Sequence, residues 1–553
     1  MMSERHPLPR TSTSASGDTM KALLLTLGHN SSAVMVDGGA VAWGYETERL
    51  TRVKSDSRFP MPHIDAMIPD LRPDIVYVSH WSPTGRLADM SAKHWDMSRF
   101  EEVPVRSLSP DFTHHDAHMW SALAYAGPKF PYGLRTYVLV VDGFGSYGEH
   151  LSLYQVERYR EPMLLRRFHG YGTSLGLWYQ YATAFMGMKM HEDEYKLLGY
   201  EVHAPSELVP KLLALADKKS DRWLMDLSKS VLYDKLDPLY RIDALAGVKD
   251  RIFDHLLEVC REFDITDSSD HAARTILSFY VQRVLEFTLL KFLAPYSITN
   301  LIVAGGVFYN VRMNKVLSER VDGKFCAMPL AGDQGAALGL YAADHPYFEV
   351  PDDLCWGRRT LTDPGQVRDM TFALSEADAV SVIIDRLKTD GVVNLVRGDM
   401  EFGPRALCNT STLALPTMDN VRRINAANNR NTVMPMAPVV NELAYKTLFE
   451  HTEKIWRSQR HMIVAMELKE YPLPEVQGVT HEYTWPHHHH SGRPQVIDSS
   501  DHLMSQILIH FGGVLINTSF NFHGVPICFD LKSVVNNHLL QSFHTVVIKN
   551  VKT

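Results

Sequence analysis

Residues 137–156 read YVLVVDGFGSYGEHLSLYQV: an apolar run, a turn of small residues opened by Asp142 and Gly143, and a second apolar run. That order predicts two antiparallel strands joined by a turn whose bare backbone N–H groups suit a phosphate. The pattern also occurs earlier in the chain. Residues 21–27 (KALLLTL) lead through GHNSS into 33–37, and a DGG turn continues into VAWGYE. A third piece lies at 301–304, an apolar run ending in Gly305-Gly306, after which a helix containing Asn310 opens. Between these pieces Ile276, Tyr280, Val284 and Phe287 recur at helical spacing, predicting an amphipathic helix over 270–294 with one face in the core.

Four polar residues stand beside these elements. His114 and His118 in FTHHDAHMWSA share one helix face at i,i+4. Asp142 ends the strand quoted above, and Asp333, in MPLAGDQGAALGL, also lies between an apolar run and glycines. Two imidazoles and two carboxylates form a mixed set that suits Fe(II), Mn(II) or Zn(II). The glycine-rich backbone beside them predicts that the metal and a nucleoside triphosphate share one cleft.

Bulk properties set limits. The 553 residues suffice for two or three domains, and 45% hydrophobic with 22% charged residues describes an ordinary globular chain. A formal charge of −8 gives no support to bulk electrostatic binding of nucleic acid. No apolar run is long enough to span a membrane. Residues 1–19 read as a disordered polar tail, and five scattered cysteines without a CxxC predict a reducing cytoplasm. Residues 346–368, rich in proline and polar residues, read as a linker between a domain at 20–345 and a second α/β domain at 369–553.

The two hairpins and the glycine-pair turn resemble the phosphate hairpins of the actin and sugar-kinase superfamily. The blocks EFGPRALCN (401–409), RPQV (493–496) and INTSFNFHGVPI (516–527) resemble the signatures of the NodU/CmcH-type carbamoyltransferases. YETERLTRVKSDSRFP (45–60), HEDEYKLLGY (191–200), VAGGVFYN and AGDQGAALG match the first half of that family. The resemblance implies an actin-like ATPase domain followed by a YrdC-like domain. It also implies transfer of a carbamoyl group from carbamoyl phosphate, through an ATP-derived carbamoyl-adenylate, to a hydroxyl. By the same analogy iron is favoured on His114, His118, Asp142 and Asp333. Lys196, Gly199, Gly305, Gly306 and Asn310 would seat ATP, and His29 would deprotonate the acceptor hydroxyl beside Lys54. Arg405, Arg430 and Arg493 would grip phosphate or carbamoyl oxygens bidentately, with neutral hydrogen bonds from Asn517, Ser519 and Asn521.

The chain departs from the family pattern at three positions. Asn428 stands for a lysine, Met434 for an arginine and Val525 for a glutamate, so either other basic groups such as Arg422 or Arg423 replace the lost charge or this branch runs its adenylation differently. The NNRNTVMPMAP variant resembles the phage-borne branch, placing the protein in a host cytoplasm and making 5-hydroxymethylcytosine in DNA or RNA the first acceptor. Lys218, Lys219, Arg222 and Trp223, or the stretch 312–315, would supply the basic strip. A secondary-metabolite hydroxyl is the alternative, followed by threonylcarbamoyl-type tRNA modification and a non-catalytic actin-like scaffold. His487–His490 reads as a natural loop without a metal role.

Overall fold

The computed structural model describes residues 20–81, 96–229, 238–430, 435–470, 474–483 and 485–549. The expected tail at 1–19 and Met434 lie outside the described residues. Strand β1 (Lys21–Thr26) pairs antiparallel with β2 (Ser32–Asp37), and β2 pairs with β3 (Ala40–Glu46). On its other side β1 runs parallel to β4 (Ile75–Trp81), which is followed by β5 (Val105–Leu108). A second sheet repeats the plan. Strand β6 (Thr136–Val141) pairs antiparallel with β7 (Glu149–Val156) and then β8 (Pro162–His169). Its parallel side carries β9 (Asn300–Ala304) and β10 (Phe325–Ala327). The orders are β3-β2-β1-β4-β5 and β8-β7-β6-β9-β10. The unbroken apolar character of β6 and β9 fits their places: both are buried at every position, as parallel strands covered on two faces must be.

Each parallel edge feeds a helix. Helix α1 (His114–Ala126) follows β5, and α2 (Ala336–Asp344) follows β10. Both are rich in small residues, and that lets their backbones meet. A Cβ at Gly339 would lie 1.7 Å from the Ala117 carbonyl oxygen. This crossing brings the start of α1 beside the start of α2.

The C-terminal half is built on a seven-stranded mixed sheet. Its order is Met370–Ala373, Thr545–Ile548, Val392–Val396, Thr410–Ala414, Val514–Ser519, Ala437–Val440, Gln495–Val496. Helices Glu376–Thr389 and His502–His510 pack Ile383, Leu387, Leu503, Met504 and Ile507 into its core. This half is not a separate body. The Trp456 indole donates to the Ala126 carbonyl at 2.9 Å and Ala465 N to Val311 O at 3.0 Å. The expected linker is itself packed: Cys355–Gly357 pairs with Met400–Glu401, Trp356 stacks on Phe402, and buried Arg359 donates to the carbonyls of Arg397, Gly398 and Asn409.

The long helix His271–Leu293 departs from the expected pattern. It is buried nearly all round rather than along one face. Its polar residues survive burial through pairing. Arg283 bonds Glu201 and also Glu286 at 2.6 Å, while Arg312 approaches Glu286 at 3.6 Å.

Gly339→Ala should lower stability by about 3 kcal/mol through overpacking at the helix crossing. Gly247→Ala, where an added Cβ meets nothing within 4 Å, should raise it by up to about 1 kcal/mol. Urea midpoints of the two variants should therefore move in opposite directions.

Candidate active site

The helix crossing and the strand ends converge on four donors. His114 Nε2 lies 3.3 Å from Asp142 Oδ2 and 3.2 Å from Asp333 Oδ1. His118 Nε2 lies 3.2 and 3.6 Å from the same two oxygens, and 3.0 Å from His114 Nε2. Bonds of about 2.0–2.2 Å to a shared ion place neighbouring donors about 3–3.6 Å apart. The four side chains therefore fit a divalent metal, and all four donors fall within 4.8 Å of one another.

The surrounding residues fix this geometry. Asp142 turns Oδ2 toward the histidines because Oδ1 accepts from Gly143 N at 2.7 Å and Gly306 N at 3.3 Å. Gly305, at φ 97°, is confined to glycine, since a Cβ would sit 2.3 Å from the Val141 carbonyl oxygen. Behind α1, the buried Glu149 carboxylate accepts from His115 N at 2.8 Å and the Thr113 hydroxyl at 2.9 Å. His115 faces away, with Nδ1 2.8 Å from the Ser152 hydroxyl.

With no ion between them the donors compete for protons. Burial disfavours the imidazolium of His114, yet Asp333 and Asp142 overcome it and raise its pKa well above the usual value. His118 is raised as well, against burial and His114, by its bonds to the two aspartates. Burial works against both carboxylates, but the histidines hold Asp142 and Asp333 below their ordinary range.

A cavity of about 470 Å3 opens over Asp142 and Asp333 and extends to the C-terminal half. At that end stand Arg405, Arg430 and Arg493. Burial lowers all three from the usual guanidinium value, Arg430 to about 10 and Arg493, with Arg405 beside it, to about 9. The opposing influences on them come from tyrosines, chiefly Tyr195, and among the described residues none of the three makes an ion pair. Arg430 is braced by Thr518 Oγ1 at 2.9 Å, Ser519 Oγ at 3.1 Å and Asn521 Oδ1 at 3.0 Å. Half-buried cations facing a cavity without carboxylate partners suit an anion. Asn517, which lines the same cavity, donates from Nδ2 to Ala406 O at 2.9 Å, and its buried Oδ1 has no hydrogen-bond partner among the described residues.

His29, Lys54, Gly306 and Asn310 also line the cavity. His29 Nδ1 is 3.6 Å from Asp333 Oδ2, with its side chain half exposed. Asn310 is engaged locally, capping its helix through Met313 N and bonding Gln282. Three expected nucleotide residues do not line the cavity. Lys196 pairs with Asp193 at 2.7 Å, Gly199 is buried in the turn Leu197–Tyr200, and Gly305 packs on β6. The replacement cations are also elsewhere: Arg423 donates to Asp390 O at 2.7 Å, and neither it nor Arg422 lines the cavity. Asn428 points into the core, where Gln541 bonds its side chain. The basic strip at 312–315 is internal, because Arg312 stacks on Tyr483 and Lys315 pairs with Glu319 and Glu467. Trp223 is buried, with Lys219 over its ring. His487 and His489 do approach Glu467, but Lys315 pairs with that carboxylate and Arg312 faces His489 Nε2 at 3.4 Å. Sequence reasoning missed His191 and Tyr195 as cavity residues. Both lie in the quoted HEDEYKLLGY block, which was their only signal.

Residues 91–343 match the family model for the carbamoyltransferase N-terminus, and 384–553 that for the carbamoyltransferase C-terminus. The chain belongs to the carbamoyltransferase family and is a transferase. An uncharacterized protein of Methanocaldococcus jannaschii is 26% identical over 550 residues, covering 95% of this chain and 97% of its own. Nodulation protein NolNO of Sinorhizobium fredii is 26% identical, covering 77% of this chain and 64% of its own. The 3'-hydroxymethylcephem-O-carbamoyltransferase of Amycolatopsis lactamdurans is 31% identical over 40% of this chain and 43% of its own. Among solved structures, full-length HypF in the phosphate- and nucleotide-bound form is 14% identical, with a TM-score of 0.28 over 60% of this chain and 56% of that one.

The raised histidines stabilise metal-free protein while protonated, so their contribution is full below about pH 6.5 and is lost as pH rises through their folded values. The lowered aspartates contribute above about pH 4 and fail below it. Thermal melts of chelator-treated protein should therefore show stability falling above neutrality. Metal binding must displace the same protons, so calorimetric affinity should rise over that window. His118→Ala should abolish the bound metal while leaving the part of this pH dependence that His114 carries through Asp333 and Asp142.

Proposed function

We propose that the chain is an O-carbamoyltransferase that runs two half-reactions in one cavity. In this reading an actin-like first half carries out transfer and a YrdC-like second half makes carbamoyl-adenylate from ATP and carbamoyl phosphate. The observation that carries it is one cavity joining the four-donor centre to three half-buried arginines that make no ion pair among the described residues. A divalent metal, with iron first by family analogy, would supply Lewis acidity toward the carbamoyl carbonyl when bound.

The chain's own groups do the rest. Arg405, Arg430 and Arg493 hold phosphate oxygens, and the Asn517 Oδ1 acceptor receives an N–H of the carbamoyl amide, distinguishing it from an acid. Gly306 and Asn310 border the nucleotide. His29, held near Asp333, accepts the proton of the acceptor hydroxyl, and Lys54 steadies the transferred group. Adenylate chemistry needs a water-poor site, and a deep cavity lined by both halves of the chain goes part of the way to that need.

The acceptor is a hydroxyl. A polyanion such as DNA carrying 5-hydroxymethylcytosine needs basic surface near the cavity. The internal placement of Arg312 and Lys315, and the acidic turn Glu192–Glu194 on the cavity wall, favour a small alcohol.

The test supplies metal-loaded protein with ATP, labelled carbamoyl phosphate and, in parallel, hydroxymethylated DNA or a panel of hydroxylated metabolites. Mass spectrometry should find one carbamoyl group on a small alcohol; label on DNA alone would reverse the choice of acceptor. Arg493→Ala should cut carbamoyl-phosphate-dependent pyrophosphate–ATP exchange about a hundredfold and leave metal content intact. Exchange at the wild-type rate in that variant would remove Arg493 from the adenylation site.

A further inference from the structure

The block at 45–60 contributes only Lys54 to the reading above, yet its most buried cation lies outside the cavity lining. Arg49, 3% exposed on the short helix Thr47–Thr51, donates from Nη2 to the Gly403 carbonyl at 2.7 Å across 354 residues of chain. Glu46, 3.2 Å from Arg49, accepts from Gly403 N at 3.0 Å. Both backbone polar groups of Gly403 are thus held by one buried ion pair from the other half of the protein. Arg49 Nη1 also meets Glu48 at 2.9 Å. Gly403 is at φ 102°, and a Cβ there would lie 2.6 Å from Leu330 Cδ2, in the loop that leads to Asp333. From the opposite side, Glu401 Oε1 accepts N–H bonds from Leu407, Asn409 and Thr410, each at 2.8 Å. Arg405 lies between these two anchors. The same helix end sends Arg52 to the carbonyls of Pro526 and Ile527, in the block that braces Arg430.

We propose that Arg49 is a positioning residue: through Gly403 it sets where Arg405 enters the cavity. It also neutralises Glu46 and Glu48, two carboxylates on the wall of an anion site. A guanidinium suits the task because its fork reaches a carbonyl and two carboxylates in one plane, which an ammonium does not. The proposal rests on Arg405 acting at the anion end of the cavity.

The test compares wild type with Arg49→Lys and Glu46→Gln, both of which keep side-chain volume. Amide hydrogen exchange should quicken across residues 401–409 in each variant and stay unchanged in α1. Carbamoyl-phosphate-dependent pyrophosphate–ATP exchange should fall by about tenfold or more in Arg49→Lys. Adding Arg405→Ala to Arg49→Lys should cost no more than Arg405→Ala alone, since both changes act through one guanidinium. Unchanged amide exchange at 401–409, or fully additive losses, overturns the proposal. If wild type shows no pyrophosphate exchange, the adenylation reading fails and the amide exchange at 401–409 decides the latch by itself.

Discussion

The crossing of α1 and α2 at Gly339 is the constraint on which the rest depends. The two five-stranded sheets share a strand order, so each presents a helix after its parallel edge and a turn after its central strand. Those four features meet only if the helices approach to backbone contact, and alanine and glycine allow it. One half then supplies two imidazoles from α1, and the other supplies one carboxylate from the β6 turn and one from the entry to α2. Like-for-like repetition of the fold produces a site of unlike parts.

Charge sets the second condition. The donor centre sets two carboxylates against two imidazoles, and the arginine end of the same cavity carries positive charge. Asn428 bears on this balance. Because it points inward to Gln541, a lysine at that position would need a different local packing to reach the cavity.

Much of this was legible in the sequence where function follows from local grammar. Asp142 and Asp333 announce themselves by sitting between apolar strands and glycines, and His114 and His118 by helical spacing. The carbamoyltransferase blocks marked Arg405, Arg430 and Arg493, and the structure gathers all three at one end of the cavity. What escaped is of another kind. Nothing local tells that Arg49 meets Gly403 or that Tyr195 stands among the arginines, because those contacts join distant segments. The helix at 271–293 misled because its Arg283 and Glu286 look like a solvent face, and only their partners Glu201 and Arg312 show that face to be buried. The prolines at 346–368 mark a linker between the two halves, and Trp356 and Arg359 within it are packed, which composition alone does not show. Lys196 and Gly305 stand in motifs that suggest a nucleotide, and in the structure one pairs with Asp193 while the other packs on β6.

The donors are also ordered by depth. His118 is fully buried and His114 nearly so, while Asp142 and Asp333 remain the parts exposed to the cavity. An ion held there has protein behind it and carboxylates in front, so its traffic with solvent passes through the space that substrates fill. Occupancy of that space would then act as a stopper. Metal would exchange quickly with the resting protein and slowly once the cavity is loaded, which ties the order of assembly to the shape of the pocket.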